Sequence, residues 1–299
     1  MRFLLRSWLA LVMIGDGIVK AIPVQMPAPG VADLLLPLGD LTPARLLWTF
    51  MGASPIFQSF AGLAELLGGV LLLLPRTTLL GALICAANLL TAVVVSLCYG
   101  LPVTLYLFFL LLASVFLAVP DLGRLVNLLF FNRAVEPAAP PPRLFERKWR
   151  DRAPQVLLVL VALVAMGRSF VFAADQYRRN HPPRPPYYGI WLVEEISVDG
   201  DPVLTEMSQW RWVIFENPGV LEAELMVGAR KRYALELDVE RKAMRIGRRG
   251  GGELRITEPE PDVLHLEGKL DGRRTWATLR KMQLLGDRFH WILEPEEEE

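Results

Sequence analysis

Five apolar runs, at about 3–24, 58–75, 78–99, 102–119 and 153–174, each approach the ~20 residues that a helix needs to cross a bilayer. From Tyr188 onward the apolar period changes to two. Ile190–Val198, Arg211–Glu216, Val220–Val227, Arg232–Val239, Ala243–Arg248, Glu253–Thr257, Val263–Leu270, Arg274–Lys281 and Phe289–Leu293 alternate as strands do. Asp199-Gly200, Asn217-Pro218-Gly219, Gly250-Gly251-Gly252 and Asp271-Gly272 divide them. The pattern predicts a membrane all-α helical bundle followed by a small all-β antiparallel barrel built as a closed meander.

Charge divides at the same place. Residues 1–187 carry 16 Lys/Arg against 9 Asp/Glu, and residues 188–299 carry 16 against 23. The net charge of zero conceals a basic first part and an acidic second part, so it gives no sign of nucleic acid as a partner. The partner implied by composition is the lipid bilayer. Cys85 and Cys98, thirteen residues apart in one run, would lie roughly 20 Å apart along a helix, too far to bond, and are expected as small core residues.

The expected organisation is a four-helix domain over 1–133, a Pro-rich and basic linker over 134–152, a fifth span over 153–174, a second Pro-rich linker over 175–187, the barrel over 188–295 and an acidic tail over 296–299. Arg2 and Arg6 flank the first run as in a secretory signal, but no small-x-small cleavage site follows and Asp16 and Lys20 interrupt it, so a retained span is expected. Arg143–Arg150 has the pattern of a short interfacial helix, with Trp149 at headgroup level. The basic cluster Arg124, Arg133, Arg143, Arg147, Lys148, Arg150 and Arg152 predicts a cytoplasmic segment. The amino terminus is then cytoplasmic and the barrel extracytoplasmic, on the outer side of an inner membrane.

Ionisable groups inside a span cost about 2.5–3.5 kcal/mol at the bilayer centre, so each calls for a partner or a purpose. Asp16 and Lys20 lie one turn apart on the first span, acid before base, the favourable order for an ion pair. By the helical rise they lie roughly 12 and 6 Å below the outer surface, Glu65 about 10 Å and Asn88 about 16 Å. All four are expected to meet in the outer half of the bundle, joined by Tyr106. With two acids against one base, one carboxyl, that of Glu65, is expected to keep its proton. A structural network and a ligand- or proton-handling site both fit these residues. No histidine falls in a span, which removes haem ligation by His. There is no CxxC, phosphate loop, dinucleotide loop or metalloprotease helix, and no metal site is predicted. Redox chemistry here would require a diffusing cofactor such as quinone, or a partner subunit.

Gly15-Asp16-Gly17-Ile18-Val19-Lys20, the Gly-Asp-Leu-Thr-Pro approach to Trp48-Thr49-Phe50-Met51-Gly52, Glu65-Leu66-Leu67-Gly68-Gly69 and Arg76-Thr77-Thr78 together resemble the DoxX-like family of small four-helix membrane proteins, over about 1–133. The resemblance implies a four-helix core with the fifth span as an addition. It makes Lys20 and Glu65 recurring polar positions, and brings a link, in some relatives, to thiosulfate:quinone oxidoreduction or other membrane redox complexes. Gly189-Ile190-Trp191 is similar to the Gly-x-Trp that opens lipocalin-like barrels, which implies an arginine, Arg280 or Arg288, stacked on Trp191. Two functions follow as expectations. One is a membrane protein handling a lipid-soluble molecule, its barrel binding a ligand or partner. The other is a non-catalytic anchor or assembly factor whose barrel docks an envelope protein. A solute carrier fits less well, since inverted repeats are missing.

Overall fold

The computed structural model describes residues 1–135, 148–202, 209–247, 251–270 and 272–283. The chain divides into two compact units, Met1–Pro29 with Leu36–His181, and Gly30–Leu35 with Pro182–Glu299.

The first unit is helical: α1 (Arg2–Ala21), α2 (Pro43–Ala53), α3 (Pro55–Leu73), α4 (Thr78–Cys98), α5 (Thr104–Ala118), α6 (Leu122–Leu129) and α7 (Lys148–Asn180). Four stretches are long and apolar enough to cross a membrane: Pro55–Leu73, Thr78–Cys98, Thr104–Leu129 and Ala153–Asn180. The 20-residue α1 is not one of them, because Arg2, Arg6, Asp16 and Lys20 dilute it. It is sheltered instead. Its buried stripe, Arg6, Leu9, Ala10, Met13, Ile14, Gly17 and Ile18, recurs every three to four residues, and α3, α5 and α7 all pack against it. Leu72, Cys85, Leu110, Leu117 and Ala162 complete that core. The outward faces of the other helices are Leu and Phe, such as Leu105 and Phe109, as a lipid solvent allows.

Two expectations change here, and one helix was not foreseen. The stretch 25–57, between the first two apolar runs, contains α2, started by Pro43 after a Thr42 cap whose Oγ1 accepts from Arg45 N at 3.2 Å. The last helix runs beyond 153–174 at both ends, because nothing in 175–180 breaks it before the prolines from Pro182 on. Cys98 is exposed; only Cys85 is a core residue. The Arg143–Arg150 helix falls largely, and the side chain of Trp149 wholly, outside the described residues.

The second unit is a closed antiparallel barrel of eight strands: β1 (Gly189–Val198), β3 (Trp210–Phe215), β4 (Val220–Leu225), β5 (Arg230–Asp238), β6 (Ala243–Ile246), β7 (Gly252–Thr257), β8 (Val263–Leu270) and β9 (Arg273–Lys281). Each strand pairs with the next, and β9 closes on β1 from Trp191↔Lys281 to Val198↔Thr275. The short β2 (Asp201–Pro202) folds back on the end of β1 through the Asp199-Gly200 turn, pairing antiparallel with Ser197 and Val198, and was not foreseen. Phe289–Leu293, expected as the last strand, lies outside the described residues, and the ring closes without it. The interior is filled by Trp191, Val213, Phe215, Leu221, Leu254, Leu266 and their neighbours. On the outer face a 3-10 turn, Val31–Leu35, covers Ile190 and Ile214, both fully buried. Glu216 holds that turn, accepting the N–H of Ala32 at 3.4 Å.

Candidate functional site

The site starts from two glycines. A Cβ on Gly62 of α3 would stand 2.2 Å from Ala21 N, and one on Gly17 of α1 would stand 2.6 Å from Leu66 N. Neither helix could come so close with any larger residue, so α1 and α3 touch backbone to backbone. Lys20 leaves α1 within one turn of this contact, and Glu65 lies one turn further along α3. The Lys20 ammonium donates to Glu65 Oε1, with the two side chains 15% and 9% exposed. The second carboxylate oxygen, Oε2, is buried and, among the described residues, accepts no hydrogen bond.

Asp16 does not pair with Lys20. It is exposed on the bundle surface and, among the described residues, forms no hydrogen bond or ion pair, although its charge reaches Lys20, Glu65 and Tyr106. The order of acid and base along one helix favoured an Asp16–Lys20 pair, but close approach of α3 offers Lys20 a carboxylate on the sheltered side. Tyr106 is exposed at the same edge. Asn88 does not join: its amide donates to Ile84 O of its own helix at 3.0 Å. Equal depth does not fix rotation about the helix axis, which is where the Asn88 expectation failed.

A second polar group escaped the sequence reading. Arg6, 6% exposed, donates to Thr78 Oγ1 at 3.2 Å and to Gln155 Oε1 at 2.8 Å, while the Gln155 amide donates to Leu73 O. In the sequence Arg6 reads only as a charge flanking the first apolar run; an amide inside the fifth run, Gln155, is the available signal. Gln58, 1% exposed, likewise clamps Met26, donating to its carbonyl at 2.8 Å and accepting from its N–H at 3.1 Å.

In the barrel, a cleft of about 400 Å³ opens beside Arg184, Tyr187, Tyr188, Trp191, Glu258 and Lys281. Gly189 starts β1 with φ at +134°, and Trp191 donates its indole N–H to Tyr187 O at 2.8 Å. The cation over Trp191 is Lys281, 5.9 Å from the ring centroid, and not Arg280. Strand parity explains this: Lys281 lies opposite Trp191 in the ladder, whereas Arg280 lies opposite Leu192, turns outward and pairs with Glu194. Arg288 lies outside the described residues. The Tyr187 hydroxyl donates to Glu258 at 2.9 Å, and burial together with that carboxylate pushes its pKa up to about 12. Among the described residues no His, Cys, Asp and Glu side chains are grouped to hold a metal.

No family model and no solved structure matches this chain. It is 40% identical over 58 residues to an uncharacterized protein, YwoB, of Bacillus subtilis (strain 168). That similarity covers 19% of this chain and 38% of the relative.

Proposed function

We propose that this is a DoxX-like integral protein of the cytoplasmic membrane that holds a lipid-soluble molecule, quinone foremost, in a membrane redox system. In this reading the amino terminus is cytoplasmic and the lipocalin-like barrel is extracytoplasmic. The observation that carries it is the sheltered Lys20–Glu65 pair with a bare carboxylate oxygen, set beside exposed Asp16 and Tyr106 on helices whose outer faces are otherwise apolar. A polar centre with an edge towards lipid suits a ligand with a polar ring and a hydrocarbon tail. Purified protein should retain quinone or its quinol, detected by solvent extraction and absorbance, and Glu65→Leu, which removes every polar atom of that side chain, should lose most of it. Quinone-free wild-type protein with no loss of added quinone in the variant would remove the redox reading.

A second reading has its own support. The barrel interior is packed with side chains, so its outer surface is what it offers to a partner. The protein would then be an anchor or assembly factor whose acidic β-unit docks an envelope protein. A partner that co-purifies with the full chain and is lost on deleting 188–299 favours this version.

A further inference from the structure

We infer that the Lys20–Glu65 site selects the hydroxyl-bearing form of its ligand, a hydroquinone or another lipid alcohol, over an acceptor-only quinone. The inference rests on the proposed function and adds a preference within it. It follows from a count of donors and acceptors. Lys20 satisfies Glu65 Oε1; as an ammonium–carboxylate pair, Glu65 has no O–H of its own. Oε2 is then a buried acceptor to which no group among the described residues donates, a costly state for a charged oxygen. Asp16 adds a second carboxylate without a donor among the described residues.

Only a ligand O–H or N–H can complete Oε2. A quinone carbonyl placed there would set acceptor against acceptor. The remaining ammonium hydrogens of Lys20 do not discriminate, because the oxygens of quinone and of hydroquinone both accept from them. Access is from the edge where Asp16 and Tyr106 are exposed, and binding must open that edge, since Oε2 is covered in the unliganded fold. Leu105 and Phe109 show the surroundings that a hydrocarbon tail would meet there.

The test is equilibrium binding to the full chain in lipid nanodiscs. The four probes are a short-tailed benzoquinol kept reduced without oxygen, the matching quinone, the dimethyl ether of the quinol, and farnesol. The quinol should bind about tenfold or more tightly than the quinone and the ether, the worth of one hydrogen bond to a charged group. Glu65→Gln puts an N–H2 donor beside the ligand and should erase that ratio. Asp16→Asn, on the exposed face where folding is not at stake, should reduce it less. Farnesol binding as tightly as the quinol also supports the inference and assigns a lipid alcohol; farnesol failing while the quinol binds assigns the hydroquinone. Quinol, quinone and ether binding alike, with all three weakened by Glu65→Gln, overturns the preference and leaves the proposed function standing. Failure of every probe to bind the wild type overturns both.

Discussion

In the helical unit one lysine meets one glutamate where each is at most 15% exposed, whereas in the barrel Arg245 reaches between Glu236 and Glu253 with all three more than 60% exposed. The chemical groups are the same kind and the distances across the barrel ladder, 3.9 and 4.0 Å, are still those of ion pairs. What differs is the medium. Water and salt screen the ladder and leave each pair worth little. Within the bundle the desolvation cost and the attraction are both large, so the Lys20–Glu65 contact matters less for the stability it adds than for the penalty of breaking it.

The sharpest way to break this contrast is to remove one partner. Lys20→Ala or Glu65→Ala should destabilise the protein by about 3–5 kcal/mol in denaturant titrations in mixed micelles, because a bare charge is left behind. Lys20→Met combined with Glu65→Leu should recover most of that loss. A single-variant cost below about 1 kcal/mol would mean that water already reaches the pair and that both units treat charge alike.

Glu216 is an intermediate case, partly buried and facing the turn at Val31–Leu35. Burial above all raises its pKa, helped by the charges of Asp33 and Glu222; the N–H groups of Ala32 and Val31 pull the other way without cancelling it. The folded state therefore holds this proton to higher pH than the unfolded state does. Its contribution is fully present below the ordinary glutamate value of about 4.3 and is lost as pH rises through the raised folded value. Glu216→Gln should remove that pH dependence and stabilise the turn near neutrality, by less than about 1 kcal/mol because water screens the side chain. Hydrogen exchange at the Ala32 amide, followed against pH in both proteins, checks the sign. Protection that rises with pH in the wild type would refute it.

The smallest effect belongs to the ladder. Arg245→Ala should change barrel stability by no more than about 0.5 kcal/mol, and added salt should shrink the difference further. A thermal melt of the two full-length proteins at low and high salt measures it.

The elements were legible because hydrophobic period is a local property. The spans around α3, α4 and α5 and eight of the strands fall within a few residues of where apolar spacing and turn residues place them. The α2 helix was harder to see, since an 11-residue helix inside a long connection shows itself mainly by Thr42 and Pro43 at its start. Arg6 and Gln155 were overlooked for another reason: they are 149 residues apart, and only packing of α7 against α1 makes them neighbours. Of the five residues grouped by depth, Lys20 and Glu65 touch, Asp16 and Tyr106 share an edge with them, and Asn88 turns back to its own helix.

By itself the sequence determined that hydrocarbon-length helices come first, that a β-unit follows, and that a few ionisable side chains occupy comparable heights in the helices. These depend on composition and period, which neighbours along the chain already contain. Only the tertiary structure decided that Lys20 chooses Glu65 over Asp16, and that Lys281 rather than Arg280 covers Trp191. Those choices depend on the backbone contact at Gly17 and Gly62 and on the register in which β9 closes on β1. Distance along a helix is written in residue numbers; the angle around it, and the partner across a closing strand, are set only when the pieces pack.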